Sequence, residues 1–166
     1  MNYNKISNRE LIIILFIVFA AIIRLIPHPP NFAPITAMAL FGGVYFKNRK
    51  LAYTIPLIAM IISDIFLGFY SISIFVYASF IAITFIGTII KNINIANIFL
   101  SSLLFFIVTN LGVWFLGYPL TIEGFLTCFT LALPFFGYTI AGDLFFCLLF
   151  KYSFKTVEKK YLIHSN

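Results

Sequence analysis

Runs of apolar residues separated by short polar stretches set the pattern of this chain. Six of them occupy about residues 11–26, 35–46, 51–69, 72–90, 95–117 and 125–150. A helix that crosses the hydrocarbon core needs about 20 apolar residues. Four runs meet or approach that length, the first is slightly short and the second clearly short. As helix, the second rises only about 18 Å, against a core of roughly 30 Å. The pattern predicts an all-α polytopic membrane protein: a single domain over residues 1–166, with six transmembrane helices and a basic tail over 151–166.

The stretch RLIPHPPNFAPITAMALFGG, from Arg24 to Gly43, breaks the apolar rhythm. Pro34 suits a first helical turn, where its missing N–H costs nothing, so the second helix starts near Pro34 and covers 34–46. Consecutive prolines cannot continue a helix, so Pro27, His28, Pro29, Pro30, Asn31 and Phe32 run extended. With so short a helix behind it, this segment is predicted to descend into the protein. Irregular backbone at that depth persists only when buried in protein or lining a wet cavity. The N–H groups that open the helix at its base favour an anionic or carbonyl-bearing ligand. An ordinary outer loop with proline turns is the plainer alternative. Ala33 and Ala37, then Ala39 and Gly43, are small residues four apart, a spacing that lets helices approach closely. They predict packing against the other helices of the chain or against a partner.

Composition agrees with a membrane chain. Of 166 residues, 62% are hydrophobic and 10% charged, with a mean hydropathy of +1.06; soluble domains average about 25% charged. Cys128 and Cys147 lie roughly 28 Å apart along one helix and cannot pair. No metal or cofactor site is predicted. The net charge of +6 reports orientation rather than nucleic-acid binding, because the basic residues flank the apolar runs. If every run crosses once, Lys5, Arg9, Lys47, Arg49, Lys50, Lys91, Lys151, Lys155, Lys159 and Lys160 share one side. Arg24 is the only basic residue on the other side, which also carries Glu123. By the positive-inside rule both termini are cytoplasmic. Residues 1–23 have the basic start and apolar run of a signal peptide, but lack a small-x-small cleavage site; the first span is expected to be retained.

Depth along the spans singles out a polar layer. Counted from the cytoplasmic ends, Arg24 and Asp64 each stand about 20 Å up and Asn110 about 22 Å. Ionisable groups at such depth are expensive and usually paired or functional, so an Arg24–Asp64 pair is predicted, with Asn110 hydrogen-bonded nearby. The alternative is that Arg24 snorkels to the outer headgroups. Phe32, Tyr70, Tyr77, Trp114 and Tyr118 collect on the same side. An interfacial aromatic belt explains most of them, while Trp114 and Tyr118, one turn apart, suit the flanks of a planar ligand. His28 and Asn31 join the candidate ligand set from the proline segment; His164, in the tail, has no assigned role. Asp143, only about 10 Å from the inner end of the last run, is read with Gly137 and Ala141 as a packing or partner contact, or as half of a proton path. TIPLIAMIISDIFLGFYS and ALPFFGYTIAGDLFFCLLFKYS share a proline followed by small-Asp-aliphatic-Phe, a faint echo of the inverted repeats of secondary transporters.

The segments HPPNFAPITAMALFGG, SDIFLG, TNLGVWFLGYP and GDLFF resemble, over nearly the whole chain, the DUF6580 type of small bacterial membrane proteins, which are described as transport-like and of unknown function. The six-span size with both ends inside is also similar to the substrate-binding S components of energy-coupling factor (ECF) vitamin transporters. That resemblance implies a site opening outward beneath the first loop and the loops between spans three–four and five–six. Those places hold the proline segment, Tyr70, and Tyr118 with Pro119. It also implies a transmembrane coupling subunit and ATPases as partners. The chain departs from the S components in one respect: their first span typically carries an AxxxA-type motif, whereas here it has only Ala20 and Ala21 and the small-residue spacings lie on the second span.

The expected function is therefore a transporter or substrate-binding subunit of the bacterial inner membrane. It would take a small metabolite or vitamin from the outer side, amid membrane lipid. A non-transporting assembly or channel subunit is the alternative. An enzyme is not expected: Asp64 and Asp143 are read at different depths, and neither paired metal ligands nor an activated serine or cysteine is evident. No nucleotide-binding loop is present, so an ATP-driven mechanism would need a motor from another chain.

Overall fold

The computed structural model describes residues 6–90 and 92–162, without the side chains of Tyr161 and Leu162; Lys5, Lys91 and His164 lie outside the described residues. Among those residues there are six α-helices and no strand. They are α1 (Asn8–Leu25), α2 (Ile35–Tyr45), α3 (Arg49–Leu67), α4 (Ser73–Ile89), α5 (Ile95–Gly117) and α6 (Ile122–Val157), which a π-helical turn extends over Glu158–Leu162.

Each apolar run lies in a helix, and local capping chemistry sets where several of them begin. Ser7 and Glu10 form a reciprocal capping box that starts α1. Asn48 accepts from Lys50 N to start α3, Asn94 from Asn97 N to start α5, and Thr121 from Gly124 N to start α6. The largest departure from expectation is the length of α6. It has 36 residues and continues through Lys151 and Lys155, where a basic tail was expected. No proline or glycine interrupts residues 143–157, and lysine is a good helix former.

Three helices among the described residues are long and apolar enough to cross a membrane: Arg49–Leu67, Ile95–Gly117 and Ile122–Lys160. Large apolar side chains such as Phe66, Phe115 and Ile122 are exposed on the outside. An apolar exterior on this scale exceeds what soluble monomers show and marks a membrane protein.

The short α2 is the centre of the fold. Thr36 to Gly43 and Tyr45 are all buried, which suits a helix that is apolar all round. It contacts each of the other five helices. Its closest neighbour is α4: a Cβ on Gly43 would stand 2.4 Å from the Thr84 carbonyl oxygen and 2.8 Å from Gly87 Cα. Ala37 and Ala39 are fully buried beside it, so these small residues pack within the chain. Further along, Phe41 meets Phe150 and Phe154 of α6 at 5.8 and 5.4 Å between ring centroids. The start of α1 and the turn that extends α6 meet at this end: Arg9 pairs with Glu158 at 2.7 Å and donates to the Tyr45 carbonyl.

Candidate functional site

At the opposite end, three helices converge on one ion pair. Arg24, in the last turn of α1, donates to Asp64 Oδ1 of α3 at 2.7 Å, and both side chains are buried. The guanidinium also bonds the Ser63 hydroxyl and, at 3.4 Å, the Met60 carbonyl. Tyr77 of α4 donates to the second Asp64 oxygen at 2.7 Å. Both carboxylate oxygens are therefore satisfied, as a buried charge requires. The pair expected from depth is formed. Tyr77 and Ser63, which complete it, were not assigned to it from sequence.

Beside this cluster lies a cavity of about 510 Å³, within the range usual for small-molecule sites. Arg24, His28, Asn31, Tyr70, Asn110 and Asp143 line it, with Thr36, Thr109 and Thr139. Asp64 is held behind Arg24 and is not among the lining residues. Asn110 contributes to the wall but does not bond the ion pair; its amide donates to the Phe106 carbonyl of its own helix at 2.7 Å. A shared depth fixes height on a helix but not the direction in which the side chain turns.

The proline segment forms one side of the cavity. Residues 27–31 are exposed, and instead of running extended they close a turn in which Phe32 N donates to the Pro29 carbonyl and Asn31 takes a left-handed φ of 63°, a conformation asparagine tolerates better than most residues. The chain then crosses to α6. Phe32 packs on Phe145 and Phe146, and a Cβ on Gly142 would come within 3.1 Å of Phe32 Cα. Gly142 thus gives the loop its seat. His28 is exposed, with Nδ1 2.6 Å from the Ile26 carbonyl.

Asp143 corrects the sequence reading. It was expected in the cytoplasmic half, away from the ligand layer, but it is buried on the wall of this cavity. Its height is the expected one: Ser102, which bonds it, stands seven residues above Ile95, about 10 Å up α5, and the cavity reaches from Arg24 down to that level. Ser102 donates to it from α5 at 2.6 Å, and the Thr36 hydroxyl at the start of α2 also bonds it. The Arg24–Asp64 pair, about 20 Å up its helices, stays well above Asp143. Ser102, Thr36, Thr109 and Thr139 were missed from sequence because hydroxyls inside helices often only bond their own backbone, as Thr109 and Thr139 do here.

Two candidates lie away from the cavity. Trp114 donates to the Pro119 carbonyl at 3.1 Å and sits edge-on to Phe125, and Tyr118 caps the end of α5. Both hold the α5–α6 turn. Ala33 lines the cavity, whereas Gly137 and Ala141 are exposed on α6, with nothing within 4 Å of a Cβ at Gly137. The two free cysteines are buried.

The model of a family of unknown function, DUF6580, matches residues 4–164. The chain belongs to the DUF6580 family. No curated protein and no solved structure matches it. The match takes in every helix of this DUF6580 chain and both walls of the cavity.

Proposed function

We propose that this DUF6580 protein is a six-span protein of the bacterial inner membrane, with both termini cytoplasmic, that captures a small metabolite or vitamin from the outer side. It acts as a small transporter or as a binding subunit of the S-component kind. The observation that carries this reading is the cavity itself. Its polar wall lies beside a buried ion pair, in a chain whose outer surface is apolar. Polar groups at such depth are costly and typically mark a ligand path. The short α2 supports the reading, because its first turn lies at the cavity rather than at the end of a full span. In a coupled transporter, the exposed small-residue face at Gly137 and Ala141 suits close contact with a helix of a coupling subunit. ATPases would then act through that subunit.

Filling the cavity tests this. Thr109 lines it from α5, and Thr109→Trp adds bulk without touching the ion pair. In a metabolite screen by thermal stabilisation of the purified protein, the wild type is expected to respond to at least one class of small molecule. Thr109→Trp is expected to fold normally and to lose that response by about tenfold or more in concentration, roughly 1.4 kcal/mol or more. A well-folded variant with undiminished response and uptake overturns the assignment.

A further inference from the structure

We infer that the ligand of this cavity is a small organic cation, an amine or quaternary ammonium ion, held by Asp143 where α2, α5 and α6 meet. The inference deepens the proposed function and rests on that cavity being a ligand site.

The electrostatic balance of the walls carries it. Arg24 is neutralised by Asp64 at 2.7 Å. Asp143 has no such partner: among the described residues the ion pairs are Arg24–Asp64 and Arg9–Glu158, and the groups that bond Asp143 are the hydroxyls of Ser102 and Thr36. It is only 2% exposed. With these pairs matched, Asp143 is the one acidic residue on the cavity wall, and no cation among the described residues pairs with it.

The chain offsets part of that charge. Thr36 is in the first turn of α2, whose N-cap Pro34 supplies no side-chain acceptor. A helix start carries roughly half a positive charge, and Asp143 meets it. The anion expected at this helix start is thus one of the protein's own side chains, and no second anion is needed there. Hydroxyl dipoles and half a charge do not cancel a full carboxylate in a low-dielectric site, where an unpaired ion costs several kcal/mol, so the carboxyl is balanced by a proton or by a bound cation. A ligand bearing one positive charge completes the balance. The cavity, at about 510 Å³, is far larger than the roughly 30 Å³ that a water occupies in the liquid, so an organic ion fits its size better than a bare alkali ion.

The test uses the full-length protein in detergent micelles at constant ionic strength, read by thermal unfolding. Benzylamine and choline are compared with their uncharged isosteres, benzyl alcohol and 3,3-dimethyl-1-butanol, with benzoate as the anion and sodium as the inorganic ion. At least one organic cation is expected to raise Tm dose-dependently, with no effect from its isostere, from benzoate or from sodium. Asp143→Asn is expected to weaken that response at least about tenfold, and Asp143→Glu to keep it. The comparison between each cation and its isostere in the wild type needs no variant to fold. Silence from both organic cations overturns the inference, as does an equal response to an isostere, to benzoate or to sodium. A response to benzoate or benzyl alcohol that Thr109→Trp abolishes overturns the cation assignment alone and leaves the cavity a ligand site. A cation response unchanged in Thr109→Trp overturns the cavity reading as well.

Discussion

Arg24→Ala is expected to destabilise the protein by about 3–5 kcal/mol, the usual cost of stranding one partner of a buried ion pair. Asp64 would keep Tyr77 but lose its counter-charge, and the Ser63 hydroxyl would lose its donor. Asp64→Ala is expected to fall in the same range, because it strands the guanidinium instead. The double variant Arg24→Met with Asp64→Leu removes both charges and refills the space. It is expected to recover most of the loss, since replacing a buried pair by apolar residues is often near neutral. Reversible unfolding of the four proteins in mixed micelles gives the comparison. Single variants within about 0.5 kcal/mol of wild type, the range of an ordinary surface substitution, would mean that the pair is solvated rather than buried.

Gly43→Leu is expected to be comparably damaging. The new Cβ would meet backbone, the Thr84 carbonyl oxygen at 2.4 Å and Gly87 Cα at 2.8 Å, so no rotamer change in a neighbour relieves it. α2 and α4 must separate, and the side chains packed around α2 lose contact with them. Overpacking costs about 1–3 kcal/mol where side chains yield, and backbone contact puts this case at or above the upper end. Gly137→Leu, where a Cβ meets nothing within 4 Å, serves as the control and is expected to accumulate normally. The folded, monodisperse fraction after size-exclusion chromatography reads both variants.

Much of the fold is legible in the sequence because apolar length and proline placement are strong signals. Consecutive prolines after Arg24 and a helix start at Pro34 leave α2 too short to span, and its apolar character on every face puts it inside. The Arg24–Asp64 pair is legible from depth, because two opposite charges at one level in a greasy bundle have few other partners. Direction is not legible in the same way. Asn110 lies at the expected level yet bonds its own helix, and Trp114 and Tyr118 brace a turn instead of lining the cavity. Asp143 was set apart from the ligand layer for a different reason. Its height of about 10 Å agrees with its bond to Ser102, but height alone does not reveal that the cavity reaches down to it. The hydroxyls around Asp143 carry no distinctive pattern; only the folding of α2, α5 and α6 brings them together.

A watery hollow open to the exterior beneath the proline segment is most directly tested by chemical labelling in intact cells. Thr109→Cys, in a background with Cys128 and Cys147 replaced by alanine, is expected to react with a membrane-impermeant methanethiosulfonate reagent added outside. Lys155→Cys is expected to react only after the cells are permeabilised. Labelling of Lys155→Cys from outside, or a Thr109→Cys that stays unreactive in intact and permeabilised cells alike, would contradict an outward-facing solute site.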